Sequence, residues 1–218
     1  TTLTGRCIAK HMAAEINNVL ANEYDHMGES IVYGDTDSAY FSAYPILKKQ
    51  IDAGDINWDR DTIIQYYDAA CEEVNATFPA FMNRAFHTTL ELGQIIAAGR
   101  EMIGSAGIFI TKKRYAMLVF DNEGKREDVD GKAGYIKAMG LDLKRSDTPD
   151  YMQDFLGEVL MMVLTGEQED RVIERIIEFR KEFRKKPSWH KGTPKRVNNL
   201  TNHTRVFEKT GKCGVGHA

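Results

Sequence analysis

The chain has 218 residues, 42% of them hydrophobic and 28% charged, with a formal net charge of −3, as in a globular protein of one large or two small domains. No apolar run approaches the ~20 residues that cross a bilayer, and no basic-then-apolar leader opens the chain, so neither membrane nor secreted classes are expected. Three widely spaced cysteines, Cys7, Cys71 and Cys213, predict free thiols in a reducing compartment, the cytoplasm.

The first third of the chain is predicted to contain helices and a β-hairpin. Apolar residues at helical spacing predict an amphipathic helix over residues 4–22. Residues 30–33 and 38–42 are β-prone and flank Gly34-Asp35-Thr36-Asp37, which is a hairpin signal. A second apolar stripe over residues 63–74 predicts another helix, followed by an aromatic-rich segment that ends at Phe86.

Residues 94–143 change to a β pattern. Short β-prone stretches are separated by glycines and by the turn sequence at residues 121–124, which predicts an antiparallel sheet. We expect the hairpin and the strand at residues 112–115 to belong to one sheet with helices on one face.

A helical region is predicted to follow. Thr148-Pro149-Asp150 has a helix cap, a proline for the first helical position and an acid near the positive end of the helix dipole. A helix ending at Gly166 and a second one stopped by Pro187 should form a pair that projects from the sheet. The expected fold is therefore α+β over residues 1–145, followed by a helical region.

The charge is unevenly distributed. Residues 171–218 carry 13 Lys and Arg against 4 Asp and Glu, whereas residues 1–170 carry 16 against 28. A basic end piece suits a polyanionic partner, and an acidic body suits cations. Two solvated surfaces of opposite sign would explain the same numbers.

The most informative motif is Tyr33-Gly34-Asp35-Thr36-Asp37-Ser38, which lies between two β-prone segments. Its two carboxylates repel one another on a tight turn unless a cation is bound there. Mg²⁺ in polymerases is held by one or two carboxylates together with water and substrate phosphates. Aspartate and glycine are also simply the commonest turn residues, so the spacing alone does not decide.

The complete motif resembles the palm hairpin of the family B DNA polymerases. About 75 residues further on, Thr111-Lys112-Lys113-Arg114-Tyr115-Ala116 is similar to the family's primer-contacting strand. On a strand, Lys113 and Tyr115 would share one face and could contact a phosphate or a minor-groove edge. A solvated basic edge strand is the alternative for this second motif alone.

Weaker similarities extend over most of the chain and are nearest to the T-even-like bacteriophage polymerases. They comprise the segment from Met139-Gly140-Leu141 to Thr148-Pro149 at the palm–thumb junction, and Asn198-Asn199 with residues 212–217 in the thumb. Arg100-Glu101 falls where the phage enzymes carry an Arg-Glu pair near the metal site. Glu101 is therefore a candidate accessory carboxylate, with a surface salt bridge as the alternative.

The resemblance implies a palm over residues 1–145 and the start of a thumb over residues 146–218. It implies two-metal nucleotidyl transfer with two Mg²⁺, primer–template DNA and a dNTP. Asp37 would be the direct catalytic ligand, and Asp35, a second candidate metal ligand, would tune the field and hold the turn. The primer end would be held by Lys112, Lys113, Arg114 and Tyr115, and the hairpin supported by Tyr33, Gly34, Thr36 and Ser38.

Parts of the family pattern are not found in this sequence. They are the first palm motif with its metal-binding aspartate, the fingers and the exonuclease motifs. The chain also opens at Thr1 without a methionine. We therefore expect a fragment, inactive alone, whose remaining polymerase segments lie in the same or another chain, in the host cytoplasm if viral.

Two alternatives to a polymerase fragment are considered. One is a catalytically inactive DNA-binding palm/thumb module. The other, a reverse-transcriptase-like Y-x-D-D enzyme, is disfavoured because Thr36 separates the two acids.

Overall fold

The computed structural model describes residues 2–193 and 200–211. The chain divides into two compact units, Thr1–Gly104 with Val119–Lys132, and Ser105–Leu118 with Ala133–Ala218. Helices and antiparallel strands make up the fold, so the predicted α+β class is confirmed. The predicted palm–thumb boundary at residues 145 and 146 concerns family domains and stays a prediction.

The first unit is built from helices around a short hairpin. In chain order its elements are α1 (Thr2–Ala21), β1 (Ile31–Asp35), β2 (Ser38–Phe41), α2 (Tyr44–Ala53), α3 (Arg60–Phe86) and α4 (Leu90–Gly93). The strands β3 (Met102–Thr111) and β4 (Arg114–Asn122) begin and end in it, respectively, and β5 (Lys125–Arg126) follows.

The core of this unit lies between α1, α3 and the hairpin. Its fully packed members are apolar residues at helical spacing on α1 and α3 plus one alanine after the hairpin: Ile16, Leu20, Ala43, Ala70, Val74 and Phe78. The carboxylate of Asp59 caps α3 by accepting a hydrogen bond from the backbone N–H of Thr62 at 2.8 Å. The helix continues through Pro79 and includes the aromatic-rich segment, well beyond the predicted stripe.

A buried histidine links α1 to α3. The hydroxyl of Thr77 donates to the carbonyl of Val74 at 2.7 Å, so it accepts from Nε2 of His11 at 3.1 Å. In the neutral ring Nδ1 of His11 then accepts from the hydroxyl of Tyr24 at 2.9 Å, and the ring stacks on Phe81 with centroids 3.7 Å apart. Both ring nitrogens therefore have a hydrogen-bond partner in the neutral ring.

Stability is expected to depend on the protonation of His11. Burial lowers the pKa of His11 below the ordinary value of 6.5; Arg84 acts in the same direction and Glu15 opposes it. Since the unfolded chain binds this proton more readily, the contribution to stability is complete above pH 6.5 and is lost as the pH falls through the folded pKa. In urea denaturation from about pH 7 to about pH 5, the wild type should lose more unfolding free energy than His11→Gln.

The control for this experiment is His26→Gln, which removes a half-exposed histidine beside Asp25. The change in pH dependence caused by His11→Gln should exceed the change caused by this control. An unchanged pH dependence in His11→Gln would contradict the assignment of a buried neutral ring.

The second unit contains the turn between β3 and β4, followed by the last strand of their four-stranded sheet and by helices. Its remaining elements are β6 (Tyr135–Met139), a 3-10 turn (Asp142–Lys144), α5 (Asp150–Leu164), α6 (Glu169–Lys185), a second 3-10 turn (Ser188–Lys191) and α7 (Leu200–Thr210). No helix among the described residues is long and apolar enough to cross a membrane.

The strands form separate sheets. The order β3-β4-β5, with β6 paired to β4, makes one of them, while β1 and β2 form a two-stranded sheet of their own. The expectation that the hairpin and residues 112–115 share one sheet is therefore wrong. The strands β1 and β2 are short, and the chain turns into α2 three residues after β2 ends.

The first helix after the sheet packs on the sheet. Leu160, Met161 and Leu164 of α5 contact the cluster around Ala116 and Leu118 of β4. The first helix of the predicted pair therefore packs against the sheet and does not project from it. The helix begins at Asp150 with Pro149 as its N-cap, and no side-chain cap bond is made there, so the predicted cap by Thr148 is wrong by one position. Pro149 lacks an N–H and takes the extended conformation required before the helix.

Candidate functional site

The two aspartates lie at the tip of the β1–β2 hairpin. Asp35 pairs with Ser38 in antiparallel register, which leaves Thr36 and Asp37 as a two-residue turn. Thr36 has φ 33°, in the left-handed region that β-branched residues seldom enter. Asp37 is exposed and Asp35 is half-buried, so the two carboxylates have different surroundings.

The side chains around the turn hold Asp35 in place. The hydroxyl of Thr36 donates to Oδ1 of Asp35 at 3.2 Å, and that of Ser38 donates to the Asp35 backbone carbonyl at 3.2 Å. Behind them, the rings of Tyr33 and Tyr40 lie 5.7 Å apart as a cross-strand pair. Asp35 therefore maintains the turn, while the carboxylate of Asp37 is accessible from solvent.

The entry to the hairpin is fixed by a buried asparagine on α1. Oδ1 of Asn17 accepts from the backbone N–H of Ser30 at 3.1 Å and from its hydroxyl at 2.8 Å, and Nδ2 donates to the carbonyl of Glu23 at 2.8 Å. Asn17 and Ser30 are fully buried. Asn17 was not predicted as a functional residue; its only signal in the sequence is a polar residue on the apolar side of a predicted helix.

The exit from the hairpin is fixed by a tyrosine on α3. The backbone N–H of Ala43 donates to the hydroxyl of Tyr67 at 3.1 Å, and the ring of Tyr67 meets that of Phe41 edge to face at 5.4 Å. Burial raises the pKa of Tyr67, which keeps its hydroxyl neutral. Both ends of the acidic hairpin are thus anchored to helices of the same core.

A charged cluster lies immediately before β3. Arg100 forms ion pairs with Asp68 of α3 and with Asp121 of β4. Oδ1 of Asp121 also accepts from the backbone N–H of Gly124 at 3.1 Å. Asp121 is fully buried, so Arg100 is the cation that compensates its charge.

This cluster orders the backbone of Glu101. The carbonyl of Glu101 accepts from the backbone N–H of Glu123 at 2.6 Å, next to the ion pairs of Arg100, and its side chain is exposed. Of the predicted pair, Arg100 is therefore part of a buried salt bridge. The role of Glu101 as an accessory ligand stays a prediction.

The carboxylates of Asp35 and Asp37 have the chemistry of part of a Mg²⁺ site. Mg²⁺ takes oxygen ligands and usually keeps several waters, with one or two protein carboxylates. Asp35 and Asp37 supply two carboxylates on one turn. Within residues 2–193 and 200–211, no three or more His, Cys, Asp or Glu side chains are grouped so as to hold a metal ion.

The predicted primer-contacting strand is instead the tip of a second hairpin. Lys112 and Lys113 form the turn between β3 and β4, and Lys113 has φ 60°. Tyr115 is only 4% exposed and stacks on Phe109 with centroids 5.5 Å apart. The expected shared face of Lys113 and Tyr115 is therefore wrong, because the motif spans a turn and strand alternation begins only at Arg114.

Positive charge is concentrated at the β3–β4 turn. Lys112, Lys113 and Arg114 are all exposed at the β3–β4 turn. Three cations on a tight turn can contact neighbouring phosphates of a nucleic-acid backbone without reading bases.

Several cations of the basic end segment are engaged within the second unit. Arg175 makes a bidentate pair with Glu158 at 2.7 and 2.9 Å. The ammonium of Lys186 lies over the ring of Tyr151 at 4.6 Å, and that of Lys191 donates to the carbonyl of Arg184 at 3.0 Å. The predicted thumb matches at residues 198–199 and 212–217 lie outside the described residues.

The chain is similar to phage replication enzymes. It is 30% identical over 176 residues, 75% of its length, to the DNA-directed DNA polymerase of Escherichia phage RB69, and this match spans 18% of that protein. It is 37% identical over 81 residues, 37% of its length, to the DNA-directed DNA polymerase of Enterobacteria phage T4, of which it spans 8%. The chain thus covers a small part of the curated relatives that it matches. No protein-family model matches it.

Proposed function

Because this chain is related to a segment of the DNA-directed DNA polymerases of T4-like bacteriophages, we propose that it is the part of a family B polymerase with one metal-binding hairpin and one primer-contacting turn. Residues 1–145 then form the far part of the palm, and residues 146–218 the start of the thumb. The observation that carries the proposal is the exposed carboxylate of Asp37 at the tip of β1–β2, within the motif of residues 33–38.

The two aspartates have different tasks in this proposal. Asp37 would hold Mg²⁺, because its carboxylate is exposed at the turn and an ion can reach it. Asp35 accepts from Thr36 and thereby fixes the turn that presents Asp37. Glu101 is the accessory carboxylate of the proposed metal site. When bound, Mg²⁺ supplies activation of the primer 3′-oxygen and neutralisation of charge on the triphosphate.

The exposed tip of β3–β4 contacts DNA. Lys112, Lys113 and Arg114 pair with backbone phosphates near the primer terminus. Tyr115 supports this turn from inside through its stacking on Phe109, which replaces the direct contact first expected of it.

The substrate and partners follow from the same proposal. They are primer–template DNA, a dNTP, and the polymerase segments that carry the first palm motif and the fingers, with the host cytoplasm as the site of action. Nucleotidyl transfer needs acids from two palm strands, and this sequence supplies one of them, so the chain alone is inactive. The alternative is a catalytically inactive DNA-binding palm/thumb module, in which Asp37 holds no metal ion.

DNA binding tests the contact surface. Fluorescence anisotropy with a primer–template duplex should show binding that weakens steeply as salt is raised, because phosphate contacts release counterions. Replacing both Lys112 and Lys113 by alanine should reduce the slope of log K against log salt by about 2, because each lysine neutralises one phosphate.

Lys125→Ala is the matched control, since Lys125 is an exposed lysine beside another tight β-turn. It should leave the salt slope unchanged. If the double lysine variant binds like the wild type, the β3–β4 turn does not contact DNA and that part of the proposal is wrong.

A further inference from the structure

One glycine lies directly against the β3–β4 turn, which is formed by Lys112 and Lys113. Gly140 follows β6 and has φ 64°, and a Cβ added there would overlap the backbone carbonyl of Lys113 and lie 3.1 Å from Cγ of Arg114. Because the two backbone segments approach so closely, only glycine, which has no side chain, fits at position 140. The motif Met139-Gly140-Leu141 therefore contacts the backbone of the hairpin tip.

The segment that carries Gly140 is anchored on both sides. Before it, β6 pairs with β4, and Ile136 and Ala138 pack against the cluster of Ala116 and Leu118. After it, Leu141 packs against the same cluster. Gly140 thus lies on a fixed segment that backs the turn, rather than on a loop that could yield.

The turn itself has an unfavourable backbone. Lys113 has φ 60°, a left-handed conformation that costs free energy for a residue with a long side chain. Such a conformation persists only where neighbouring structure holds it. Tyr115, stacked on Phe109, holds the strand below the turn, and Gly140 is the neighbour at the Lys113 carbonyl.

We infer that Gly140 is a positioning residue for DNA binding: it sets the place of the Lys113 carbonyl and so directs Lys112 and Lys113 toward the phosphates. This inference rests on the proposed contact between the turn and DNA. It gives a role to the Met139-Gly140-Leu141 motif, which the proposed function leaves without one.

The test is a mutant cycle on the full chain, read by anisotropy with a primer–template duplex over a range of salt. Gly140→Ala should reduce the slope of log K against log salt by about 1. In the Lys112→Ala/Lys113→Ala background it should cause a smaller loss of affinity and slope than in the wild-type background, because only Arg114 of the three cations at the turn remains.

Gly166→Ala is the matched control. Gly166 also has positive φ, 80°, but nothing lies within 4 Å of an added Cβ. It therefore carries the same backbone penalty without the clash, and its salt slope should equal that of the wild type. Circular dichroism and thermal melting establish that each variant compared is folded.

Should Gly140→Ala fail to fold, Leu141→Ala replaces it, since it loosens the same segment without a clash. That loss must again be smaller in the double lysine background. An equal loss in both backgrounds, or none in the wild-type background, overturns the inference while leaving the lysine contacts intact. If the double lysine variant itself binds like the wild type, the proposed DNA contact fails and the inference falls with it.

Discussion

Replacing Arg100 by methionine is expected to lower the free energy of unfolding by about 3–5 kcal/mol, because a buried charge is left without its partner. Asp121 is fully buried, and Arg100, with 12% of its side chain exposed, is paired with it. Burial alone would lower the pKa of Arg100, but its hydrogen bonds to Asp68 and Asp121 raise it, so the guanidinium stays charged. Urea denaturation monitored by circular dichroism measures the loss.

Two further variants separate the buried charge from the rest of the cluster. Asp68→Ala should lower the free energy of unfolding by only about 1 kcal/mol or less. Asp68 is 46% exposed, so in this variant water can take its place beside Arg100. Asp121→Asn in the Arg100→Met background should restore part of the stability, since asparagine keeps an acceptor for Gly124 and carries no charge. Similar losses in Asp68→Ala and Arg100→Met would show that burial of Asp121 is not the cause.

The local elements were largely predictable because their signals lie in short stretches of sequence. The helix predicted over residues 4–22 is observed as α1 (Thr2–Ala21), and the hairpin around Thr36 and Asp37 forms where the turn residues indicate it. Relatedness to phage DNA polymerases, inferred from the motifs of residues 33–38 and 111–116, is confirmed. The helix α2 was missed, although Pro45 in its first turn is a helix-start signal.

Contacts that join distant segments could not be predicted. Arg100 meets Asp68 and Asp121 across 32 and 21 residues, and nothing in the sequence near any of the three marks the others. The error at Lys113 has a local cause. A basic run typical of a strand also fits a turn, and only the pairing of β3 with β4 shows that strand alternation restarts after it.

The largest functional effect is expected at Asp37. The remaining polymerase segments, supplied from the phage RB69 relative as a second polypeptide, should restore Mg²⁺-dependent primer extension if the two halves associate. In that mixture Asp37→Ala should lower the rate on the order of 10³-fold, because the proposed ligation of Mg²⁺ by Asp37 acts on charge that develops during phosphoryl transfer. Asp35→Ala should cost less, since Asp35 accepts from Thr36 and shapes the turn. Primer extension on a radiolabelled primer gives all three rates.

Asp55→Ala is the control, because Asp55 is an exposed aspartate elsewhere in the same unit, and its rate should equal that of the wild type. DNA affinity supplies a second readout. Asp37→Ala should bind primer–template as the wild type does, whereas the double lysine variant should bind more weakly. At saturating primer–template, the double lysine variant should extend the primer at the normal rate. The two sites thereby separate into one that acts on the rate and one that acts on binding. Rapid synthesis by the isolated 218 residues, or restored synthesis indifferent to Asp37, would show that the β1–β2 hairpin is not the metal-binding element.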